Sequence, residues 1–236
     1  MTTDSAIDLE VALHPLDDPV RSSLRGEHRR FARQVGRIGR YDPDVASFVG
    51  HPPVLDDQDW RDLAEILGPT GVAGLRGYGH VPPEGWTVLR VFDSVQMDGS
   101  ELRVADDPDL VRLTAADVPE ILDLIARTQP GPYLPRTIEM GTYLGLRIDG
   151  ELVAMAGERM HPPGWTEISA VCTHHDHRGR GYGTRLIRAV GAGIRARGET
   201  PFLHAVAANT TAISLYETLG FTLRKRSQAT LVQPPA

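Results

Sequence analysis

Three alternating glycines, Gly179, Gly181 and Gly183, follow Arg178 and precede a segment with helical periodicity. Glycines let successive backbone N–H groups turn toward one anion, because no Cβ blocks the close approach. The start of the helix adds unpaired N–H groups and the positive end of the helix dipole. Arg178 and Arg180 supply full positive charge. The pattern therefore predicts a pyrophosphate-binding turn.

Two other nucleotide-binding motifs contain glycine-rich turns, and neither fits this one. A P-loop needs a Lys-Ser/Thr pair after its last glycine, whereas Thr184-Arg185 stands here. The dinucleotide fingerprint G-x-G-x-x-G has a different spacing and follows the first strand of a βαβ unit. A flexible loop without a ligand would leave the flanking arginines and the helix unexplained.

Two motifs in this region resemble those of the GNAT acetyltransferase superfamily. Arg178-x-x-Gly181-x-Gly183 is similar to its pyrophosphate motif, and N-x-x-A-x-x-LYE-x-x-GF from Asn209 to Phe221 is similar to its fourth-helix motif. Both occur in the order that the superfamily has. The resemblance covers residues 110–232 and looks most like the glycine-N-acyltransferase-like branch, while the first 108 residues carry no motif of the superfamily.

This resemblance implies acetyl-CoA or another acyl-CoA as co-substrate and no metal. The strand from Val171 to Thr173 would bind the pantetheine arm through free backbone groups, and the Val171 N–H would polarise the thioester carbonyl. Asn209 would hold the cofactor near its thiol end. The residues expected to contact the cofactor are Val171, Cys172, Thr173, Arg178, Gly179, Arg180, Gly181, Tyr182, Gly183, Thr184 and Asn209.

The resemblance also implies an acid and a base. Tyr216 is expected to protonate the departing thiolate, since a phenol with a pKa near 10 is protonated at neutral pH; a core aromatic is the alternative. Glu167, eleven residues before Arg178, is the leading candidate for the base that deprotonates the attacking amine. It is equally open that Glu167 is only an exposed charge at a strand end and that water relays the proton instead. Glu158 is the second choice for the base.

Cys172 and the histidines nearby have less specific signals. A covalent role for Cys172 conflicts with strand geometry, because adjacent residues face opposite sides and Val171 is expected in the cleft. A buried structural cysteine is therefore favoured. The histidines of the segment His174–His177 lack a second ligand group at conventional spacing, so no metal site is predicted.

Acceptor recognition would fall on the loop after the first helix of the matching region, by analogy with the family. Tyr133 and Arg136 lie there, and Glu158 is a further candidate for contact with the acceptor. Arg136 could bind a substrate carboxylate, as an amino-acid-like acceptor would require, or it could pair with Glu139 on the surface.

Composition limits the function classes. The chain has 236 residues, 41% hydrophobic and 24% charged, as expected of a globular protein. Its net charge of −6 argues against general nucleic-acid binding. Residues 1–108 hold 11 Arg and 19 acidic residues, a balance of −8, whereas residues 109–236 hold 14 basic and 12 acidic residues, +2. The more basic half carries the predicted anion site.

The same features predict location and partners. No run of 18 apolar residues is present, the acidic N-terminus lacks a secretory signal, and the single cysteine fits the cytoplasm. We expect a small-molecule amine or an amino-acid-like acceptor as partner, with no nucleic acid and no membrane, and a homodimer is left open.

The elements that must position these residues predict an α/β fold. We expect a GNAT-like mixed, mostly antiparallel sheet with helices on both faces at residues 109–236, preceded by an N-terminal α/β region at residues 1–108. The acidic Asp106-Asp107-Pro108 segment marks the boundary. A short echo, PPEGWT at residues 82–87 and PPGWT at residues 162–166, leaves open that the first region is a degenerate half-copy of the acyltransferase fold.

Individual elements follow from periodicity, caps and turn residues. The N-terminal predictions are a weakly ordered tail at 1–12, a helix with a basic solvated face (or a nucleic-acid arm) at 18–40, a second helix at 56–67, and strands at 71–75 and 87–92. The C-terminal predictions are a helix capped by Thr114, a short helical segment at 137–140, a hairpin around Asp149-Gly150, a strand at 166–173, helices at 184–197 and 210–219, and a last hairpin at 221–232.

The expected function is transfer of an acetyl group from acetyl-CoA to a primary amine by direct attack in a ternary complex. The alternative is a non-catalytic module that senses acyl-CoA.

Overall fold

The computed structural model describes residues 14–235, so the predicted tail at 1–12 lies outside the described residues. The strands are β1 (Ala32–Val35), β2 (Ile38–Tyr41), β3 (Val49–Gly50), β4 (Ala73–Arg76), β5 (Thr87–Asp98), β6 (Val111–Arg112), β7 (Tyr143–Ile148), β8 (Glu151–Glu158), β9 (Trp165–Thr173), β10 (Thr200–Val206) and β11 (Thr222–Gln233). The α-helices are α1 (Pro19–Arg25), α2 (Asp57–Leu67), α3 (Val118–Thr128), α4 (Tyr182–Ala196) and α5 (Thr210–Leu219). Short 3-10 helices occupy Pro15–Asp17, Arg29–Phe31, Ala115–Asp117, Thr137–Met140 and His175–His177.

Two sheets organise these elements. β1, β2 and β3 form a small antiparallel sheet, and the other eight strands form one sheet in the order β4-β11-β5-β10-β9-β8-β7-β6. Every neighbouring pair in the large sheet is antiparallel except β9 and β10, which are parallel. The predicted mixed, mostly antiparallel α/β fold is therefore confirmed.

Helices cover both faces of the large sheet. The apolar stripe of α4, which includes Leu186 and Val190, packs with Ile168 of β9 and Leu203 of β10. The stripe of α3 packs in a separate core that contains Cys172 of β9. Burial of these apolar faces holds the two helices on the strands that carry the predicted site.

The N-terminal region contributes strands to the large sheet. β5 lies between β10 and β11, and β4 pairs with the far edge of β11. The predicted boundary at residue 108 therefore runs through one continuous sheet, and the division into two domains stays a prediction. The predicted last hairpin at 221–232 is wrong, because β11 is a single strand that runs antiparallel to β5 from Thr222 to Gln233.

The predicted helix at 18–40 is also wrong beyond its first two turns. Asp18 caps α1 and Pro19 occupies its first turn, but Gly26 ends the helix. The chain then turns at Gly36, where φ is +52°, so that β1 and β2 pair as a hairpin. The arginines of this segment thus lie on a short helix and a hairpin rather than along one helical face.

Other local predictions are confirmed. Thr114 and Asp117 form a reciprocal capping box before α3. Asp149 and Gly150 both have positive φ, 51° and 87°, as a type I′ turn between β7 and β8 requires. Helix α5 has the predicted bounds and ends at Gly220 in the left-handed conformation.

Candidate active site

An open cleft separates the ends of β9 and β10. The two parallel strands pair only from Trp165 opposite Thr200 to Glu167 opposite Phe202. Beyond that point β10 continues beside β5 alone. The backbone groups of β9 at residues 168–173 consequently have no sheet partner on the β10 side.

A bulge in β9 marks the same place. Met155 of β8 lies opposite Cys172, and Gly157 lies opposite Ser169, so three steps on β9 match two on β8. Ala170 within this interval has φ +52°, a conformation that is rare for a residue with a side chain. Bulges re-aim side chains and free backbone groups from the ladder. Val171, predicted to polarise a thioester carbonyl, lies within this bulge, next to Ala170.

The glycine-rich turn has the geometry of an anion cradle. Gly179 and Gly181 both have φ +77°, which favours glycine, and open space surrounds both positions. The N–H groups of residues 179–184 donate no hydrogen bond to any other residue in the described part of the chain. They end at the first turn of α4, where the helix dipole favours an anion. Arg178 and Arg180 are exposed beside them.

A cavity of about 210 Å3, which no sequence motif indicates, adjoins the first turn of α4. Arg185 donates to both carboxylate oxygens of Asp107, at 2.5 and 2.8 Å, and to Asp109 at 2.7 Å. These pairs fix the segment after β5 to the helix that begins in the cradle. The acidic boundary segment therefore serves to hold the start of α4 in place.

Tyr216 and Asn209 both lie on or next to α5. The Tyr216 ring is half-buried and packs edge-on against Phe221, 5.9 Å between centroids. Its hydroxyl makes no hydrogen bond with another described residue, and burial raises its pKa, so the phenol keeps its proton. Asn209 caps α5, since its Oδ1 accepts from the Ala212 N–H at 3.2 Å.

Glu167 is completely buried, not an exposed charge at a strand end. Arg159 donates to both of its carboxylate oxygens at 2.7 Å. His204 Nδ1 lies 2.7 Å from the same carboxylate. Burial pushes the pKa of Glu167 up, but the charge and hydrogen bonds of Arg159 outweigh it and hold this pKa well below its ordinary value. A carboxylate in this state is a weak proton acceptor by itself.

A chain of buried polar groups continues from Glu167 toward the surface. His204 Nε2 lies 3.1 Å from Gln96 Nε2, which also donates to the Leu16 carbonyl at 2.8 Å. Burial and then the charge of nearby Arg76 lower the pKa of His204 to about 4, so the imidazole is neutral. A neutral ring that donates from Nδ1 to Glu167 accepts at Nε2 from Gln96. Sequence reasoning missed His204, because Gln96 and Glu167 come from distant segments.

The second candidate for the base, Glu158, is fully engaged in hydrogen bonds. The Oε2 of Glu158 accepts from the Thr142 N–H at 3.0 Å, and its Oε1 accepts from Arg197 at 2.9 Å. Glu158 is 3% exposed, so both of its oxygens are occupied by these hydrogen bonds inside the protein.

The two loop candidates for contact with the acceptor, Tyr133 and Arg136, both pack against or pair with other residues. Tyr133 is buried edge-on against Tyr143, 5.4 Å between centroids, and burial raises its pKa. Arg136 binds both oxygens of Glu139, at 2.7 and 2.9 Å, and lies 3.4 Å from Asp42. Of the two alternatives for Arg136, the structure has the surface ion pair.

Cys172 is buried on the α3 side of β9, whereas Val171 packs on the α4 side. Burial raises the pKa of the Cys172 thiol to about 11, so the thiol is neutral at physiological pH. The prediction of a buried structural cysteine is confirmed.

The histidine segment brings three potential ligands together. Atoms of His174, His175 and Asp176 lie within 4.8 Å of one another. Arg127 Nη1 lies 3.1 Å from His174 Nε2, and this positive charge opposes binding of a metal cation.

The chain is similar to known proteins over the regions that form this site. The family model described as FR47-like protein matches residues 143–230. No curated protein gave a significant match. A solved protein from Novosphingobium aromaticivorans, assigned to the GNAT acetyltransferases, is 42% identical, with a TM-score of 0.87 over 94% of this chain and 100% of that chain.

More distant structures share the fold. A GCN5-related N-acetyltransferase from Kribbella flavida is 20% identical with a TM-score of 0.59, covering 93% of this chain and 96% of that chain. A GNAT-family acetyltransferase from Colwellia psychrerythraea is 12% identical with a TM-score of 0.53, covering 84% and 81%.

The fold and these similarities define an acyltransferase. The chain belongs to the GNAT family. Within residues 14–235, no helix combines the length and the apolar character needed to cross a bilayer.

Proposed function

We propose that this protein transfers an acetyl group from acetyl-CoA to a primary amine by direct attack in a ternary complex. The supporting observation is the row of six unpartnered N–H groups at residues 179–184 beside the open edge of β9. The row suits a pyrophosphate, and the open edge suits an amide-containing arm that pairs with a strand. The Val171 N–H would stabilise the oxyanion as the amine attacks.

Tyr216 would donate its proton to the departing thiolate. Its hydroxyl makes no hydrogen bond with another described residue, and its raised pKa keeps the phenol protonated until the thiolate departs. We expect Tyr216→Phe to lower kcat roughly 10²-fold or more, since this is the usual contribution of a positioned acid. Acetyl-CoA affinity should stay unchanged. A variant with unchanged kcat would remove Tyr216 from this role.

We propose that Glu167 orients His204, and that His204 Nε2 accepts the proton of the amine. The hydrogen bond from Nδ1 to Glu167 fixes the tautomer and stabilises the imidazolium that forms. An incoming amine would replace Gln96 at Nε2. His204→Gln should therefore lower kcat at saturating substrate and remove the acidic limb of the plot of kcat/KM against pH. A purely structural role of His204 would leave the shape of that plot unchanged.

The second candidate function is an acyl-CoA sensor without catalysis. Sequestration of both candidate carboxylates, Glu158 and Glu167, favours it. Incubation with acetyl-CoA and a panel of amines, with free thiol monitored, separates the two functions. Amine-dependent thiol release supports the enzyme; binding of acetyl-CoA without release for any amine supports the sensor.

Membership of the glycine-N-acyltransferase-like branch, a cytoplasmic location and a homodimer belong to the same proposal. The single cysteine supports the location. The contribution of β4 and β5 to the acyltransferase sheet supports a branch in which an N-terminal region completes the fold.

A further inference from the structure

A second cavity, of about 100 Å3, lies on the sheet face opposite α4, where β4, β5, β10 and β11 meet the segment before α1. Its lining includes Arg76, Gln96, His204, Asp17, Lys225 and Arg226. Three of these side chains are cationic and one is a carboxylate. His204 is also the residue that the proposed mechanism uses as base. The cavity therefore joins the proposed catalytic group to an excess of positive charge.

Arg76, the last residue of β4, is the cation of this set that is most withdrawn from water. Its guanidinium is half-buried and makes neither a hydrogen bond nor an ion pair with any residue among 14–235. Its backbone is fixed, because its N–H donates to His51 Nε2 at 3.0 Å. Burial lowers the pKa of Arg76, which records the cost of withdrawing its charge from water.

Neighbouring carboxylates are committed to other groups. Glu167 is held by Arg159, and Asp17 accepts from Arg224 at 2.9 Å with Lys225 at 3.5 Å. Asp18 accepts from the Arg21 N–H at 3.0 Å. A desolvated cation is normally paired, because burial without a partner is unfavourable.

The chemistry that completes Arg76 is an oxygen anion. A guanidinium presents parallel N–H donors that match carboxylate and phosphate oxygens. The cavity is large enough to admit such a group. Gln96 and His204 line the same cavity, and Gln96 Oε1 accepts from Arg224 at 2.8 Å.

We propose that Arg76 binds the anionic group of the acceptor, so that the acceptor is an amine carrying a carboxylate or a phosphate. The inference rests on the N-acyltransfer proposed above. It places recognition of the anion on the N-terminal strand β4 rather than on Arg136. The amine of the same molecule would then face His204.

Matched amines and variants test this assignment. Thiol release from acetyl-CoA would be measured with glycine against methylamine, and with phosphoethanolamine against ethanolamine. Arg76→Gln should raise the KM of an anionic amine roughly tenfold or more, as loss of a buried charge partner does. The KM of acetyl-CoA should stay the same, and the KM of the uncharged amine should change far less than that of the anionic amine. Arg76→Lys, which keeps the positive charge beside His204, should restore part of the affinity. Arg61→Gln, on the exposed side of α2, is the control.

Calorimetric titration of the anionic amines in the presence of CoA gives a readout without turnover. Weaker binding to Arg76→Gln than to the unchanged protein supports the anion site even if no amine is acetylated, in which case only the N-acyltransfer proposal fails. An Arg76→Gln protein that treats both anionic amines like the unchanged protein overturns the inference. Turnover restricted to uncharged amines also overturns it, while N-acyltransfer stands. Glycine and phosphoethanolamine distinguish carboxylate from phosphate.

Discussion

The proposed cofactor side and the proposed acceptor side of this site are built in different ways. On the cofactor side, β9, the glycine-rich turn and α4 follow one another in the chain, and backbone groups carry the chemistry. On the acceptor side, the cavity at His204 gathers side chains from the segment before α1 and from β4, β5, β10 and β11. A local segment can preserve a binding function by its own turn geometry. The acceptor side exists only when distant strands come together.

The strongest test of this difference removes the N-terminal half. A chain of residues 109–236 lacks β4 and β5, so β11 has no neighbour to join it to β10. We expect this fragment to show no cooperative unfolding transition in urea, because two long backbone edges and the apolar core around Val95 and Met97 would be exposed.

Supplying residues 1–108 as a separate chain provides the control. Restoration of a cooperative transition in the mixture would attribute the loss to the missing strands. A sharp transition from residues 109–236 alone would contradict the dependence and support the predicted domain boundary.

The next test breaks the ion pair where the two sides meet. Glu167→Gln leaves the buried Arg159 guanidinium without its anion, and loss of one partner from a buried pair destabilises by about 3–5 kcal/mol. Urea denaturation would measure the change in unfolding free energy.

An exposed pair gives the matched control for that substitution. Glu139→Gln breaks the surface pair with Arg136 and should change stability by about 1 kcal/mol or less. Equal effects of the two substitutions would show that the buried pair is not the stronger one. Replacing both Arg159 and Glu167 by Leu should recover much of the lost stability, since neither charge of the pair is then left without its partner.

The acceptor side should also respond to pH through His51, which supports Arg76. His51 Nδ1 lies 2.7 Å from the Pro52 carbonyl, and its Nε2 accepts from the Arg76 N–H, so the ring must be neutral. Burial lowers its pKa to about 4 from an ordinary value of 6.5. The unfolded chain therefore binds more protons between these values. Stability from this group is complete above pH 6.5 and falls, by about 3 kcal/mol in total, as pH drops through 4.

Urea denaturation between pH 7 and pH 4 measures this slope. His51→Asn should flatten it relative to the unchanged protein, because the substituted side chain does not titrate. An identical slope in both proteins would mean that His51 is not neutral in the fold or that its protonation is compensated.

The same contrast explains what the sequence could predict. The turn at Gly179–Gly183, the caps of α3 and the bounds of α5 depend on neighbouring residues, and the sequence carries those signals locally. The order of strands in the large sheet does not, because nothing near Thr87 or Thr222 specifies that β5 and β11 pair. The predicted hairpin at 221–232 failed for this reason.

The site residues divide in the same way. Gly179 and Gly181 were recognisable by spacing, and their positive φ angles agree with the turn. Arg76 and His204 had no motif, since their significance comes from the cavity they share. Arg136 was a reasonable carboxylate partner by residue type, but Glu139 three residues away already binds it. Sequence spacing identifies groups that act through the backbone better than groups that act through long side chains.

The smallest expected effect on stability concerns the cofactor side. Gly181 has φ +77° and open space around its Cβ position, so Gly181→Ala adds backbone strain without a clash and should destabilise by about 1–2 kcal/mol. Relaxation of that strain would turn the N–H groups of residues 179–184 away from a common point. Acetyl-CoA affinity, measured by calorimetry, should therefore fall more than stability does.

Gly193→Ala within α4 is the matched control, because open space surrounds Gly193 and its φ is that of an ordinary helical residue. This substitution should stabilise the protein by about 0.5–1 kcal/mol and leave acetyl-CoA affinity unchanged. Equal acetyl-CoA affinity in both variants would mean that the cradle does not depend on the left-handed glycine.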